Sequence, residues 1–219
     1  CPPQIIGRIQ HFISRKAMDI EGLGGETVAL LVVNGLVRNY ADLYKLRVEQ
    51  LMPLERMAKK SAENLVAGVA ASRSISFERT LFALGIRYVG ETVAKKLAKH
   101  FKNVDALAHT SIEELTAVDE IGERIAQSVV TFFANQEHLE IVEQLRSYGV
   151  QLALSAESLE GQTDILSGKT FVVSGVFEIP RSDLKNLIEQ NGGKVGSSIS
   201  SKTSFLVAGE KMGPSKRTK

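Results

Sequence analysis

The sequence contains no tryptophan, only one cysteine and only five prolines. A single cysteine cannot form an internal disulfide, which is typical of a protein in a reducing compartment, so we expect a cytoplasmic location. No apolar run approaches the roughly 20 residues that cross a bilayer, and no signal-peptide pattern opens the chain. These absences argue against a disulfide-stabilised secreted domain and predict no membrane partner.

Familiar catalytic patterns are also missing. The four histidines do not cluster by spacing, no phosphate-binding P-loop is present, and no Gly-x-Gly-x-x-Gly follows a predicted strand. The sequence therefore predicts no catalytic residue and no bound cofactor within these 219 residues.

Charge is nearly balanced overall, at +2, but it is unevenly distributed. Residues 1–102 carry 16 Lys or Arg against 9 Asp or Glu, and residues 103–160 carry 2 against 11. Residues 161–219 carry 9 against 5. Such asymmetry predicts that the first half of the chain binds a polyanion.

One stretch of sequence, residues 86–97, recurs three more times. Apolar residues lie four and one positions before Gly90, a small residue lies four after it, and an apolar residue lies seven after it. The same pattern surrounds Gly24, Ala58 and Gly122, so the four anchor positions are 34, 32 and 32 residues apart. A fixed period in this range predicts an array of supersecondary units, here of helix, hairpin turn and helix.

The anchor glycine suggests what each hairpin does. We expect it to allow positive φ and to remove the Cβ that would obstruct a ligand. Because the turn leads directly into a helix N-terminus, unsatisfied backbone N–H groups lie beside the positive end of the helix dipole and form an anion site. Repeated anion sites suit the phosphates of nucleic acid. A purely structural alternative is a helical solenoid with glycine turns and no ligand.

These residues resemble the motifs of two known families. The turns at residues 22–24, 88–90 and 120–122 resemble the helix–hairpin–helix DNA-binding motif. Residues 18–24 and 83–91 resemble the C-terminal half of bacterial NAD-dependent DNA ligases, and the resemblance extends over essentially the whole chain.

The ligase resemblance implies a parent enzyme that seals nicks in duplex DNA during replication and repair. It also implies NAD, magnesium and zinc as cofactors of that full-length parent. Cys1-Pro2 is similar to the end of a four-cysteine zinc module, so Cys1 would bind zinc only in the full-length protein. The Lys-x-Asp-Gly adenylation signature is absent and the chain does not begin with Met, so we expect an inactive fragment.

The candidate DNA-binding residues lie at the turns and in the helices behind them. They are Gly22, Gly24, Lys59, Lys60, Arg87, Gly90, Lys95, Lys96, Gly122 and Arg124. The second hairpin departs from the motif, with Arg56 and Ala58 at glycine positions, and its two lysines could compensate. Lys95 and Lys96 are expected to face solvent, either as a phosphate track or as an ordinary solvated helix face.

The periodicity changes after a predicted linker at residues 155–165. Residues 169–175 form a predicted strand, 181–190 a helix with Leu184, Leu187 and Ile188 inward, and 194–197 and 204–207 two further strands. A strand–helix–strand order predicts a parallel sheet. The Leu-x-Gly-Lys motif from Leu166 and the later Gly192-Gly193 resemble a BRCT domain, which we expect to be truncated.

The predicted architecture is therefore mainly α, followed by a truncated α/β BRCT-like domain with a parallel sheet. The expected parts are the end of a zinc module or linker with a first helix at 1–15, four hairpin units at 16–154, the linker at 155–165 and the partial BRCT domain at 166–219. The expected partner is nicked duplex DNA, bound by a monomer without regard to sequence. Two alternatives remain: the DNA-binding region of a repair nuclease or polymerase, and a non-catalytic scaffold whose BRCT domain binds a protein.

Overall fold

A computed structural model describes residues 2–156, 158, 165–201 and 203–210 of the chain. The chain divides into two compact units, Cys1–Leu154 and Ser155–Lys219, and each is described by itself. Cys1 and most of the predicted linker lie outside the described residues.

The first unit is mainly helical, with an antiparallel β-bridge between Asn103 and Ala153. Its elements are α1 (Pro2–Ile13), α2 (Gly25–Val33), a 3-10 helix (Tyr40–Lys45), α3 (Val48–Leu51), α4 (Lys59–Ala71), a 3-10 turn (Ser72–Ser74), α5 (Phe77–Ala83), α6 (Glu91–Phe101), α7 (Val104–Ala108), α8 (Ile112–Ala117), α9 (Glu123–Ala134) and α10 (Gln136–Ser147). The pairs α1–α2, α3–α4, α5–α6 and α8–α9 each pack together across one of the predicted hairpins. The tandem helix–hairpin–helix array is thus confirmed.

The repeated sequence pattern corresponds to a repeated packing pattern. The residues four after each anchor (Val28, Ala62, Ala94 and Ala126) are all fully buried. The residues seven after each anchor (Leu31, Leu65, Leu97 and Val129) are buried as well. Small side chains in the first set allow the two helices of a unit to approach closely, and the apolar second set fills the core between them.

The sequence pattern predicts one continuous helix over residues 42–51, but the structure has a 3-10 helix followed by the short helix α3. A capping box between Asn39 and Asp42 starts a 3-10 helix at Tyr40, and Leu46 adopts an extended conformation that ends it. Nearly every apolar side chain from residue 40 to 46 is buried, so this segment lacks the exposed face of an amphipathic α-helix. The tighter 3-10 geometry places these side chains in the core.

Within the first unit, side chains far apart in sequence connect different helix–hairpin–helix repeats. Arg79 Nη2 donates to the carbonyl of Arg15 at 2.6 Å, and Arg73 Nε donates to the carbonyl of Tyr148 at 2.7 Å. Helix α1 also packs against α5 of the third unit. In a linear solenoid each repeat contacts only its neighbours, so this array has a closed rather than an open-ended arrangement.

The second unit holds a small parallel sheet. Its elements are β1 (Thr170–Ser174), α11 (Arg181–Gln190), β2 (Lys194–Gly196) and β3 (Phe205–Ala208). The strand order is β2-β1-β3, with Phe171 opposite Val195 on one side and Phe205 on the other. The predicted parallel sheet is confirmed.

The core of the second unit contains Phe171, Val173 and Ile188. Leu184 packs partly against them, but Leu187, expected to point inward, is 51% exposed. Because Leu184 and Ile188 are four positions apart, they share one helix face and cover the narrow sheet without Leu187.

Candidate nucleic-acid interface

All four hairpins follow the same backbone path. Two residues before each anchor the chain adopts positive φ, with values of +81° at Gly22, +61° at Arg56, +66° at Tyr88 and +65° at Glu120. The anchors themselves have φ near −80° and are extended. Positive φ is therefore required two residues earlier than we predicted, and three of the four hairpins meet it without glycine.

The backbone conformation does not require glycine at the anchor positions. The open surroundings of these positions suggest a different reason for glycine. A Cβ built on Gly24, Gly90 or Gly122 would meet no protein atom within 4 Å. All three residues are exposed and lie directly before a helix. The fold therefore tolerates a side chain there, and a glycine leaves room for something that approaches from outside.

The helices behind the anchors begin with open N-termini. α2, α4, α6 and α9 have no side-chain cap hydrogen bond, whereas α7, α8 and α10 are capped by Asn103, Ser111 and Asn135. α3, α5 and α11 also lack this bond, so an open N-terminus alone does not identify a site. The distinguishing feature is the combination of an open N-terminus, an exposed anchor and the same turn, present four times.

The second hairpin keeps this geometry despite its divergent sequence. Ala58 has φ −73° and ψ 156°, and its carbonyl accepts from Ala62 N at 3.0 Å, as in the other copies. Only the Ala58 methyl group is added at the anchor. Lys59 Nζ lies 3.9 Å from Glu63 Oε1 on the same helix, and Lys60 is exposed.

The third hairpin carries the most cations, but Lys95 and Lys96 have different surroundings. Lys95 is exposed as expected, whereas Lys96 is 30% exposed and forms an ion pair with Glu120 of the fourth hairpin. The prediction that both face solvent is therefore wrong for Lys96. It lies on the side of α6 that faces the next unit, where a carboxylate is available.

The hairpins are grouped in pairs. The first hairpin packs against α4 of the second unit, where a Cβ on Gly68 would lie 3.0 Å from the Glu21 carbonyl oxygen. The third and fourth are joined by Lys96 and Glu120 and by a cluster around Tyr88. A separate ion pair, Lys16 with Glu91 at 2.8 Å, joins the loop after α1 to the third hairpin.

Tyr88 is a site residue that sequence reasoning missed. The guanidinium carbons of Arg87 and Arg124 lie 4.9 and 4.2 Å from its ring centre, and Arg124 Nη2 donates to its hydroxyl at 2.6 Å. The structure thus brings together two arginines predicted separately. Tyr88 stands at the repeat position where the first hairpin has Gly22. An aromatic residue at that position is the sequence signal that could have identified Tyr88 as a site residue.

A groove of about 1440 Å³ lies within the first unit, and the sequence did not predict it. It is lined by residues of α1, the 38–45 segment, the third hairpin, α9 and α10. Its charged residues are balanced: Arg8, Arg38, Lys45 and Arg87 against Asp42, Glu137, Glu140 and Glu143. Because no sign of charge dominates, the hairpins suit a polyanion better than this groove does.

Cys1, the predicted zinc ligand of a full-length parent, lies outside the described residues. In the described part of the chain, no three or more His, Cys, Asp or Glu side chains are grouped so that they could hold a metal ion. The same residues include no helix of the length and apolarity needed to cross a membrane.

Comparison with known families agrees with the geometry. Residues 79–142 match the family described as "Helix-hairpin-helix motif", and residues 161–219 match the "BRCA1 C Terminus (BRCT) domain" family. Fold and site together thus define a helix–hairpin–helix module followed by a BRCT module.

Whole-sequence relatives specify the family further. Proteins named DNA ligase are 69% identical in Christiangramia forsetii, 68% in Flavobacterium psychrophilum and 56% in Phocaeicola vulgatus. In each case the match covers 100% of this chain and 33% of the relative. The chain is similar to these DNA ligases over its whole length and spans about a third of the length of the curated relatives.

Proposed function

We propose that this chain binds duplex DNA without regard to sequence, through backbone N–H groups at its hairpins. The observation that carries the proposal is the open space at Gly24, Gly90 and Gly122, where the fold leaves room that it does not use. A phosphate could approach the open helix N-termini there. Contacts of this kind hold the DNA backbone and carry no base information, so they do not select a sequence.

Lysines and arginines add charge at the same places. Lys59 and Lys60 follow the second hairpin, Lys95 and Lys96 the third, and Arg124 the fourth. In the second hairpin the Ala58 methyl group hinders close approach, so its two lysines would supply most of the contact. Arg87 and Arg124 would supply positive charge for phosphate contacts where the third and fourth hairpins are joined.

In the whole protein, we assign this segment the task of holding a nicked duplex while other parts join the strand. That assignment rests on the relatives named DNA ligase and extends to NAD as adenylate donor, magnesium at the reaction centre and zinc held partly by Cys1. This chain has no Lys-x-Asp-Gly sequence, so the adenylated lysine would belong to the rest of the enzyme. We place the enzyme in the cytoplasm and its DNA-bound form as a monomer.

The test is a binding titration with fluorescent duplexes of two unrelated sequences, each intact and nicked, and with single strands. We expect similar affinity for both sequences, weaker binding to single strands, and no adenylated protein after incubation with NAD. Binding that differs by more than about tenfold between the two sequences, or no duplex binding at 50 mM salt, would contradict the proposal. Adenylation of the chain would show that the nucleotide chemistry had been misassigned.

A further inference from the structure

The contacts of Tyr88 are with cations. This residue is 39% exposed, its ring lies near both the Arg87 and Arg124 guanidiniums, and its hydroxyl accepts from Arg124. Its φ of +66° is uncommon for an aromatic residue. The first hairpin meets the same backbone requirement with Gly22, so the turn itself does not need a tyrosine side chain.

Arg124 would be expected to interact with carboxylates, because Asp119, Glu120 and Glu123 surround it in sequence. Instead, Arg124 makes no ion pair within the part of the chain that the structure describes, and its hydrogen bond goes to the Tyr88 hydroxyl. Glu120 is paired with Lys96. Arg124 thus keeps its positive charge available in the most acidic part of the chain.

We propose that Tyr88 is a positioning residue that holds Arg87 and Arg124 together as one phosphate-binding pair spanning the third and fourth hairpins. The inference rests on the proposed duplex binding and identifies which residues join two hairpins into one surface. Cation–π contact with the ring and the hydrogen bond to its hydroxyl fix the two flexible side chains before DNA arrives.

The distances suit neighbouring phosphates. Both guanidinium carbons lie within 5 Å of one ring centre, so they are no more than about 9 Å apart. One DNA strand places a phosphate about every 3.4 Å along the helix axis, so two such cations can reach phosphates of a single strand. A base-stacking role for Tyr88 fits less well, because guanidiniums already lie over its ring.

Tyr88→Gly tests the arrangement without straining the backbone, since glycine adopts positive φ readily and already occupies this position in the first hairpin. Glu120→Gly is the matched control, because it places glycine at the same point of the fourth hairpin and removes an anion. Tyr88→Phe keeps the ring and loses only the hydroxyl. Circular dichroism melting first establishes that each variant is folded.

The measurement is the slope of log K against log salt for a duplex. We expect Tyr88→Gly to reduce the slope by up to about 1.8, the value for two phosphate contacts, while Glu120→Gly does not reduce it. Tyr88→Phe, which keeps the ring, should retain most of the wild-type slope. Adding Arg124→Ala to Tyr88→Gly should cause little further loss, although Arg124→Ala alone reduces the slope by about 0.9.

Three results would overturn the inference: a folded Tyr88→Gly variant with the wild-type slope, an Arg124→Ala effect that is equal with and without Tyr88, or a larger loss for single strands than for duplex. The last would identify Tyr88 as a stacking residue. If the wild-type chain fails to bind duplex at all, the proposed function fails instead, and the two failures are therefore distinguishable.

Discussion

At the scale of single residues, the anchor position separates what folding needs from what binding needs. Ala58 shows that the turn accepts a methyl group at this point with unchanged backbone geometry. Gly24, Gly90 and Gly122 have the same extended conformation and open surroundings. The residue type at the anchor should therefore affect ligand approach more than stability.

Reciprocal substitutions at two anchors test this separation. We expect Gly90→Ala to change the free energy of unfolding by less than about 1 kcal/mol, because the residue has ordinary φ and no neighbour to clash with. It should nevertheless weaken duplex binding severalfold, whereas Ala58→Gly should leave binding unchanged or strengthen it. Urea titration and fluorescence anisotropy give the two quantities. Parallel losses of stability and binding in Gly90→Ala would indicate that this glycine is structural.

The ion pair of Lys96 with Glu120 should be visible in the salt dependence of binding. Removing an exposed Lys95 that contacts a phosphate should lower the slope of log K against log salt by about 0.9. Lys96 has Glu120 as a partner, so Lys96→Gln should lower the slope by less than the value for one full phosphate contact. Glu120→Gln, which releases Lys96, should strengthen binding. Equal slopes for Lys95→Gln and the wild type would show that Lys95 belongs to a solvated face only.

At the scale of elements, the buried 3-10 helix supplies a titratable part of the core. Burial raises the pKa of Tyr44 to about 12, although its hydrogen bond with Ser72 and the nearby Arg73 oppose the rise. Burial raises the pKa of Tyr40 as well. A tyrosine whose pKa is raised on folding favours the folded state below its ordinary pKa of 10.0, and this contribution is lost as the pH rises through the folded-state value.

The expected result is a fall in stability between about pH 10 and pH 12. Tyr44 alone should contribute a loss of about 1.4 kcal/mol per pH unit in that window. Tyr44→Phe should cost about 0.5–1.5 kcal/mol at pH 8 through the lost hydrogen bond, since Ser72 still donates to the Val69 carbonyl. The free energy of unfolding of Tyr44→Phe should also fall less steeply between about pH 10 and pH 12 than that of the wild type. Urea titrations at pH 8 and pH 11.5 measure both effects, and identical declines would contradict the assignment.

Much of the element structure was predictable because local spacing determines it. The four-residue and seven-residue intervals after each anchor specify one helix face, and these positions are buried in every unit. The 40–45 segment was not predictable in this way, since residues 40–44 are buried in succession and leave no periodic signal. Lys96 and Tyr88 were misjudged or missed because their partners lie 24 and 36 residues away in sequence. Pairing across units follows from the folded arrangement and leaves no local pattern.

At the scale of the whole molecule, the two units differ in how much apolar surface they bury. The first has a continuous core drawn from nearly all of its elements. Among the residues that the structure describes, the hydrophobic cluster of the second unit has Phe171, Val173 and Ile188 as its buried members, and Phe205 of β3 is 49% exposed. Because small cores stabilise a fold weakly, we expect the second unit to open more readily than the first.

Amide hydrogen exchange compares the units directly. Protection at Phe171, Val172 and Val173 should be markedly lower than at Ala94, Leu97 and Ala98 of α6. A truncated chain ending at Leu154 provides the control, and its α6 protection should match that of the full chain if the units open separately. Similar protection in both units would mean that they unfold together.

The bonds that connect distant parts of the first unit also fix the number of repeats. Asn39 Nδ2 donates to Gln144 Oε1 at 3.3 Å across 105 positions, and Arg73 reaches Tyr148 across 75. An open-ended solenoid can gain or lose a repeat by recombination with little penalty, because each new copy meets the same neighbours. Here an inserted copy would separate these partners and α1 from α5. The array should therefore evolve by substitution within four units of fixed copy number, and the second hairpin can lose its anchor glycine without being deleted.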